Sequence, residues 1–387
     1  MTVVLLSNYF NHHQKPLSDA LYRLTDGNFF FISNSQMREE RRKLGYGSEP
    51  EPDYVLHMAH NPGQCREMIA SADVVIVGSV PQELIRDRIR AGKLIFRYSE
   101  RPLKHGTEPL KYIPRLLRWN WWNPPGKPIY LLCASAYAAG DYGKFGLFRN
   151  RAFRWGYFPE TVRYTQEELF QEKTAAKILW AGRMLDWKHP EHALEAAKRL
   201  RDAEYEFELI MVGMGQLEAV LQEQIRREDL QSCVRMTGAV TPRQVRHLME
   251  QCGIFLFTSN RQEGWGAVLN EAMNSGCAVI ASHAIGSAPF LIQNEGNGLL
   301  YESGNVDMLY DKLKYLLDHP MEQKQMGAAA YRTITEEWNA DVAAARLMAL
   351  SEQILAGRKT LNLFTAGPCS MAGIQEERWD RNAAENS

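Results

Sequence analysis

Residues 254–276 read IFLFTSNRQEGWGAVLNEAMNSG, and this stretch predicts the local fold. Its first four residues form a continuous apolar run, which is typical of a strand buried on both faces of a parallel sheet. Two glycines follow, and then a helical pattern that Gly276 ends. A strand, a glycine-containing turn and a helix in this order indicate part of a β-α-β unit.

Similar apolar runs recur on both sides of this stretch, and each predicts a buried strand. In the first half they are Val3–Leu6, Val74–Gly78, Leu94–Tyr98 and Ile129–Cys133, and in the second half Ile178–Ala181, Leu209–Val212, Val234–Met236, Ile254–Phe257 and Ala278–Ala281. Helical patterns lie between them, for example at Pro190–Leu200 and Gln216–Glu228. This repetition predicts an α/β fold with a doubly wound sheet in each half.

The composition is that of a globular protein. The chain has 387 residues, of which 45% are hydrophobic and 24% charged, and its formal net charge is −1. These values argue against a disordered chain and a strongly basic nucleic-acid binder. Six scattered cysteines without a Cys-x-x-Cys pair argue against a disulfide framework and a zinc site, and we expect a cytoplasmic protein without a signal peptide.

The domain boundary is expected near residues 157–160, ahead of a polar stretch. This gives a first domain over residues 1–160 and a second domain over residues 161–338. Two such domains are expected to face a cleft, with ligands at the carboxyl ends of the strands. The polar tail, residues 359–387, is expected to be loosely held.

Two glutamates, Glu263 and Glu271, flank the glycine turn of the opening stretch. Their spacing of eight residues is too long for joint binding of one metal ion, but it suits two ends of an extended ligand. The start of a glycine-rich helix also presents free N–H groups that suit phosphate. The alternative is that Glu263 caps the helix and Glu271 is solvated.

Two cations, Arg183 and Lys188, follow Gly182 at the end of a predicted strand. Such a pair suits the diphosphate of a nucleotide, although surface pairs of this kind are common. Gly213-Met214-Gly215 follows the next strand and fits a tight turn. Neither the complete Gly-x-Gly-x-x-Gly pattern nor a P-loop is present, which argues against a nicotinamide dinucleotide site and a P-loop nucleotide site.

Taken in order, these motifs resemble those of the retaining GT-B glycosyltransferases of family 4, the group 1 type, which includes bacterial enzymes of surface polysaccharides. The similarity covers about residues 177–355 and rests on Gly182-Arg183…Lys188, Gly213-x-Gly215, Val234–Gly238, Glu263-x7-Glu271, residues 276–282 and Asn297-Gly298-Leu299. It implies two Rossmann-like domains. It also implies a last helix, over residues 339–358, that crosses back to the first domain.

The resemblance implies a role for each matched position. Arg183 and Lys188 hold the donor diphosphate, Glu263 contacts the donor sugar and acts in catalysis, and Glu271 binds the ribose. The remaining expected donor-site residues are Gly182, Gly213, Gly215, Thr237, Gly238, Gly264, Trp265, Gly266 and Ala267.

The function so implied is transfer of a hexose-type sugar from a nucleotide-diphosphate sugar to a growing, lipid-linked glycan. The resemblance implies metal-independent chemistry, with which the lack of any Asp-x-Asp agrees, and we expect no cofactor. A UDP-sugar is the default donor. Two alternatives stay open, namely a nucleotide-sugar 2-epimerase of the same fold and a non-catalytic sugar-nucleotide-binding subunit.

The first half is expected to bind the acceptor. Asn11, His12 and His13 follow the first strand, and His13 is a candidate for orienting the acceptor in catalysis. Glu100 and Arg101 follow the Leu94–Tyr98 strand and are further candidates. The alternatives are a histidine pair that caps a helix and a salt bridge between Glu100 and Arg101.

A basic segment, residues 83–118, carries ten Lys and Arg against four Asp and Glu. Its end and the tryptophans beyond it suit an interfacial helix on an anionic membrane. Arg115, Arg118, Trp119, Trp121 and Trp122 are the expected membrane contacts, which makes the protein peripheral on the inner membrane face. The alternative is a packed helix with snorkelling arginines. The histidine pairs 57/60 and 189/192 lack an evident third metal ligand.

Overall fold

The computed structural model describes residues 1–35, 50–106, 109–358 and 360–379. The chain divides into two units. Of the described residues, the first unit comprises those within 1–160 and 338–376, and the second comprises those within 161–337 and 377–379.

The first unit is built on a seven-stranded parallel sheet with the order β3-β2-β1-β4-β5-β6-β7. Its strands are β1 Val3–Ser7, β2 Phe29–Ser33, β3 Val55–His57, β4 Val74–Val77, β5 Ile95–Ser99, β6 Ile129–Cys133 and β7 Ala152–Arg154. Its helices are α1 Lys15–Leu24, α2 Pro62–Ser71, α3 Arg86–Ala91, α4 Pro109–Trp122 and α5 Ala138–Gly143. A 3₁₀ turn, Gln82–Ile85, precedes α3.

The second unit is built on a six-stranded parallel sheet with the order β10-β9-β8-β11-β12-β13. Its strands are β8 Thr174–Ala181, β9 Glu208–Val212, β10 Val234–Gly238, β11 Cys252–Phe257, β12 Ala278–Ser282 and β13 Leu299–Tyr301. Its helices are α6 Gln166–Gln171, α7 Pro190–Asp202, α8 Glu218–Arg227, α9 Pro242–Gln251, α10 Val268–Asn274, α11 Ala288–Leu291, α12 Val306–Asp318 and α13 Pro320–Arg332.

Both sheets have the strand order of a doubly wound fold, in which the direction of winding reverses beside the first strand. The reversal lies between β1 and β4 in the first unit and between β8 and β11 in the second. The predicted α/β class with two parallel, Rossmann-like sheets is therefore confirmed. Each predicted strand is present, while β2, β3, β7 and β13 were not predicted.

The apolar runs form strands because both faces of each sheet are covered. All five residues of β1 are buried, and so are all six of β11. Helix α7 shows the complementary pattern, since Ala193, Leu194 and Leu200 on one face are buried against the second sheet. Proline in its first turn fixes the start of this helix.

The last helix, α14 Ala340–Leu355, belongs to the first unit and packs against α1. Asn339 caps it, since its Oδ1 accepts a hydrogen bond from the Val342 N–H at 3.0 Å. Arg23 on α1 and Asp341 on α14 form an exposed ion pair at 2.6 Å. The predicted return of the final helix to the first domain is confirmed.

The expectation of a loosely held tail is wrong for residues 369–372. Ser370 O accepts a hydrogen bond from Arg154 N at 2.7 Å, and Ala372 N donates to Ala152 O at 2.9 Å. Cys369 and Ser370 are fully buried. The physical reason is that β7 is the edge strand of its sheet, and the tail satisfies its open backbone groups.

All six cysteines are unpaired, and five of them are buried. Within the described parts of the chain, no helix combines the length and the apolarity that a bilayer-spanning segment requires.

Candidate functional site

The candidate site of the second unit lies where its sheet reverses direction. Strands β8 and β11 are neighbours there and run parallel, so the segments that follow them leave the same edge of the sheet. Lys188 lies in the segment after β8, and Glu263 lies in the segment after β11. Ligands of doubly wound sheets bind at this kind of edge.

Lys188 and Glu263 form a buried ion pair. The Lys188 Nζ contacts Glu263 Oε2, and their side chains are 12% and 10% exposed. Ser259 Oγ donates a second hydrogen bond to the same oxygen at 3.0 Å. The ammonium also lies 4.6 Å from the ring centre of Trp187 and 5.6 Å from that of Phe257. The sequence placed both charges in one site, but it did not identify Ser259 or the aromatic contacts.

Three hydrogen bonds fix the backbone around this lysine. The Thr258 hydroxyl donates to Lys188 O at 2.7 Å and accepts from Trp180 Nε1 at 2.8 Å. Asn260 N donates to Trp187 O at 2.9 Å. The segments after β8 and β11 are thereby tied together, so the ammonium is held in place before any ligand binds.

Arg183 differs from Lys188 because it is exposed. No ion pair or side-chain hydrogen bond of Arg183 is present among the residues that the structure describes. Its guanidinium fork is therefore available to an anion that approaches this edge of the sheet.

The Gly-x-Gly pair brings two loops into close contact. Gly213 has φ +132°, and a Cβ there would lie 1.9 Å from Gly182 O. A Cβ on Gly215 would lie 2.3 Å from Met184 O. The loop that carries Arg183 is thus pressed against the loop after β9, which only glycine permits. In the structure, the packing of these loops accounts for both glycines.

Thr237 and Gly238 end β10, one strand further along the sheet. Gly238 O accepts a hydrogen bond from Gly213 N at 2.9 Å, and it also accepts one from the Thr237 hydroxyl at 3.0 Å. The predicted donor residues that follow β8, β9 and β10 are therefore adjacent at one edge of the second sheet.

The glycine turn before α10 is shaped by close packing. Gly266 has φ +85°, and a Cβ on it would overlap the ring of Phe257 at 2.4 Å. Trp265 is fully buried, and its Nε1 donates to Asn270 Oδ1 at 2.9 Å, so its side chain anchors the turn. The backbone N–H groups of Gly264 and Ala267 have no acceptor among the described residues. Gly264 is buried and Ala267 is half-buried.

Glu271 lies on α10, which begins only at Val268. Burial raises the pKa of its carboxyl to about 7, and the nearby Arg246 guanidinium partly offsets this rise. The residue is half-buried, so the alternative of a fully solvated Glu271 does not match the structure. The helix-capping alternative for Glu263 is also wrong, because Glu263 lies in the loop and pairs with Lys188.

In the first unit, residues 11–13 lie between β1 and α1. The His12 and His13 rings are 3.9 Å apart, and His13 N donates to Asn11 Oδ1 at 3.0 Å. The N-cap residue of α1 is Gln14, so neither histidine occupies that position. The three residues leave the carboxyl end of β1, as expected from the sequence.

Arg101 does not fit the role of an acceptor contact. It is buried in an ion pair with Asp141 at 3.2 Å, with both side chains 1% exposed, and it lies over the Tyr137 ring. Glu100 has other partners, since it accepts from the Tyr157 hydroxyl at 2.7 Å and pairs with Lys104 at 3.4 Å. A salt bridge between Glu100 and Arg101 was therefore also a wrong expectation.

Of the three tryptophans of α4, Trp121 is exposed, and the other two are half-buried. Trp121 is 75% exposed, and it lies on the same helix face as Ile113 (65%) and Leu117 (66%). Trp119 instead packs against Phe145, with ring centres 4.7 Å apart. The i, i+4, i+8 spacing explains the exposed stripe, which we call the α4 stripe and define as Ile113, Leu117 and Trp121.

Trp122 is half-buried against the core of the first unit. Trp119 and Trp122 therefore pack within the first unit rather than at a membrane, which corrects the sequence-based assignment. Arg115 lies over the Trp119 ring, whereas Arg118 is exposed.

His189, which precedes α7, and His192 in its first turn have a nearby acid, Glu191. His189 Nδ1 lies 2.8 Å from Glu191 Oε1, and His192 Nε2 lies 3.7 Å from the same oxygen. Potential ligand atoms of these three residues lie within 4.8 Å of one another. The two rings are stacked 4.6 Å apart. The expectation that no third ligand accompanies this pair is wrong.

Comparison with known proteins agrees with this geometry. Residues 164–333 match the family model described as glycosyl transferases group 1. The chain is 28% identical over 183 residues to the amylovoran biosynthesis glycosyltransferase AmsK of Erwinia amylovora, covering 46% of this chain and 45% of that protein.

A second curated relative is the GDP-mannose-dependent monoacylated alpha-(1-6)-phosphatidylinositol monomannoside mannosyltransferase of Corynebacterium glutamicum, with 27% identity over 195 residues, or 49% of this chain and 50% of that protein. The chain spans about half the length of the curated relatives it matches.

Solved structures match over almost the whole chain. Anabaena Alr3699/HepE in complex with UDP has a TM-score of 0.66 at 16% identity, covering 92% of this chain and 100% of that one. A glycosyltransferase from Rickettsia africae has the same TM-score and identity, covering 93% and 99%. These similarities, with the two sheets described above, confirm the predicted GT-B fold.

Proposed function

We propose that this chain, whose second unit carries a group 1 glycosyltransferase domain, transfers a hexose-type sugar from a nucleotide-diphosphate sugar to a growing glycan with retention of configuration. The observation that carries the proposal is the buried Lys188–Glu263 pair at the reversal point of the second sheet, beside the exposed Arg183. Relatives named for amylovoran and colanic acid biosynthesis support a role in bacterial surface polysaccharides.

The two cations are suited to the leaving group. Breaking the bond between sugar and diphosphate places negative charge on the phosphate, and preorganised cations stabilise that charge most in the transition state. Lys188 has three N–H donors and uses one on Glu263, while Arg183 offers a fork. The free N–H groups of Gly264 and Ala267 add donors near the same edge. With these groups the reaction proceeds without a metal ion or cofactor.

The two glutamates are suited to the other parts of the donor. Glu263 would accept hydrogen bonds from hydroxyls of the donor sugar, since Lys188 and Ser259 contact only its Oε2. Glu271 would accept them from the ribose. Gly182, Gly213, Gly215, Thr237 and Gly238 shape the wall around the nucleotide. A UDP-sugar is our default donor, because several structural neighbours were solved with UDP.

For the chemical step we propose front-face attack, in which the leaving phosphate helps to remove the acceptor proton. A covalent intermediate on Glu263 is the alternative route to retention. In the first unit, Asn11, His12, His13 and Glu100 are the acceptor contacts that we propose. His13 is the residue proposed to orient the acceptor hydroxyl.

The acceptor in this proposal is lipid-linked, and the enzyme binds the cytoplasmic face of an anionic membrane. The α4 stripe supports this, because three large apolar side chains on one helix face are exposed to water. Arg115 and Arg118 on the same helix supply positive charge that matches anionic lipid.

The test is acceptor-dependent release of nucleotide by wild type and by Glu263→Ala. We expect release by wild type only with acceptor present, and a loss of at least a hundredfold in the variant. Ser303→Ala, a substitution in the loop after β13, is the control. Equal release by wild type and Glu263→Ala would contradict the catalytic assignment.

The same assay separates the alternatives. A nucleotide-sugar 2-epimerase would release a free sugar isomer without acceptor, and a non-catalytic subunit would bind nucleotide sugar without releasing nucleotide. Thermal-shift measurements with UDP-, GDP- and ADP-sugars identify the base, because a bound donor stabilises the folded protein according to its affinity.

A further inference from the structure

A polar cavity lies within the first unit, at the carboxyl ends of β4 and β5. Its volume is about 130 Å³. We call it the Arg97 cavity and define it by the residues of its lining on which the argument rests, which are Arg97, Arg118, Trp119, Trp122, Tyr142 and Phe148. Parallel sheets bind their ligands at this edge, so its position is that of a binding site rather than of a packing defect.

Arg97 in this cavity has only neutral partners. It is 8% exposed, and its Nε, Nη1 and Nη2 donate to Asn123 Oδ1 at 2.8 Å, Gln82 Oε1 at 2.5 Å and Trp122 O at 2.6 Å. A guanidinium has five N–H groups, so two remain for another acceptor. No carboxylate among the described residues pairs with it. Burial lowers the pKa of Arg97 to about 10, which still leaves it charged at neutral pH.

Two other buried arginines of this unit show what a purely structural arginine looks like. Arg88 makes five hydrogen bonds, all to backbone carbonyls, and so uses its full donor capacity. Arg101 is neutralised by Asp141. Arg97 alone among these three combines spare donors, uncompensated charge and a cavity. A buried charge without a counter-ion is costly, and an anion from outside would offset that cost.

Arg118 adds a second cation to the same cavity. It is exposed, and no ion pair or hydrogen bond of its side chain is present among the described residues. It also lines a neighbouring cavity of about 350 Å³ together with Lys111 and Arg115. None of the described residues that line either cavity is an aspartate or a glutamate. The electrostatic preference of this surface is therefore for an anion.

The remaining walls are aromatic. The ring centres of Trp119 and Tyr142 are 5.0 Å apart, and those of Tyr142 and Phe148 are 5.3 Å apart. Flat aromatic surfaces favour the C–H face of a sugar ring, and a few polar groups then fix its orientation. Two arginines beside such walls match a saccharide that carries a carboxylate or a phosphate.

We propose that the Arg97 cavity binds the anionic group, a carboxylate or phosphate, of the saccharide that accepts the transferred sugar. The cation pair selects acceptors that carry this charge and positions them from the first unit. That the bound saccharide is the acceptor rests on the proposed transferase function. The anion site itself does not depend on that function.

The experiment titrates the full-length protein with inorganic phosphate and with D-glucuronate, each followed by NMR, with D-glucose as the neutral control. Saturating UDP is present throughout, so that the donor site does not take up the anion. We expect saturable binding of at least one anion and none of glucose. Arg118→Gln should weaken that binding about tenfold, because one of two cations is lost. Arg97→Lys, which keeps the charge but not the fork, should weaken it several-fold.

Arg90→Gln is the matched control, since Arg90 is exposed, is paired with Asp87 and lies outside both cavities. It should bind the anions as wild type does. Binding of phosphate alone indicates a phosphorylated acceptor, and binding of glucuronate alone indicates an acidic sugar. No anion binding by wild type, or equal binding by wild type and Arg118→Gln, would overturn the proposal. UDP binding, measured separately in Arg118→Gln, reports on the donor site and therefore on the proposed function alone.

Discussion

In the second unit, the carboxyl edge of the sheet carries Lys188 and Glu263, which neutralise each other. In the first unit, the corresponding edge carries Arg97, whose partners are all neutral. Both sheets have the same order around their reversal points, so topology determines where a ligand binds in each. The side chains after the strands then decide its chemistry. In our proposal, the ion pair beside the exposed Arg183 suits a sugar that carries a diphosphate, and the unpaired Arg97 suits an anion.

The largest effect is expected from breaking the balanced pair. Lys188→Met should lower the transfer rate about a thousandfold, because a preorganised cation is lost from the leaving group. It should also reduce the free energy of unfolding by about 3–5 kcal/mol, because Glu263 stays buried without its partner. Initial rates of nucleotide release and urea denaturation measure the two effects.

The double variant Lys188→Met/Glu263→Gln separates these effects. Removing both charges should restore most of the stability but none of the activity. If Lys188→Met is as stable as wild type, Lys188 and Glu263 do not form a buried ion pair.

A second large effect is expected from Gly213→Ala. The methyl group would overlap Gly182 O, and alanine is strained at φ +132°, so we expect a loss of about 3 kcal/mol or more in the free energy of unfolding. Gly63→Ala in α2 is the control, because nothing lies within 4 Å of its added Cβ, and it should stabilise by about 0.4–1 kcal/mol. Denaturation curves of both variants are compared. A stable Gly213→Ala protein would refute the close contact between the loops after β8 and β9.

Much of the fold could be predicted from the sequence, because buried parallel strands appear as continuous apolar runs. Strand β2 was missed although Phe29–Ser33 reads FFFIS and is as apolar as the strands that were predicted. Strands β3, β7 and β13 have only three residues each, too few for a periodic signal. The order of strands in each sheet follows from long-range pairing, which no local pattern reports.

Site residues that belong to a sequence motif could be predicted. Residues whose role depends on tertiary packing were missed or misassigned. Lys188 and Glu263 were assigned from their motifs, yet their direct contact depends on the neighbouring positions of β8 and β11. Arg101 looked like a site residue because it follows a strand. In the fold it is buried in an ion pair with Asp141, which lies forty residues later in the chain. Arg97 was not singled out as a site residue, since nothing local distinguishes it from the other arginines of a basic segment.

A smaller effect is expected from Glu271, the half-buried acid of the proposed donor site. The unfolded carboxyl of Glu271 ionises near its ordinary pKa, whereas the folded one keeps its proton until about pH 7. Between these values the folded state binds more protons, so stability falls as pH rises from about 4.5 to 7 and then levels off. Glu271→Gln should remove this slope, which is worth at most about 3 kcal/mol.

Urea denaturation from pH 5 to pH 8 tests this, with the exposed Glu223→Gln as control. Nucleotide affinity adds a second readout. If ribose hydroxyls donate to the ionised carboxylate, affinity should rise with pH up to about 7 in wild type but not in Glu271→Gln. A flat wild-type profile in both measurements would show that Glu271 is ordinarily solvated.

The smallest effect on the folded protein, and the sharpest contrast between the two surfaces, is expected at the α4 stripe. Leu117→Ser should change the free energy of unfolding by less than about 0.5 kcal/mol, because the side chain is 66% exposed. It should nevertheless weaken binding to vesicles that contain anionic phosphatidylglycerol about tenfold, since an inserted leucine contributes roughly 1.5 kcal/mol.

Val220→Ser on α8, with a similar exposure of 63%, should leave vesicle binding unchanged. High salt should weaken wild-type binding further, because Arg115 and Arg118 act through screened charge. Equal losses in Leu117→Ser and Val220→Ser would mean that vesicles bind exposed apolar side chains without preference for the first unit.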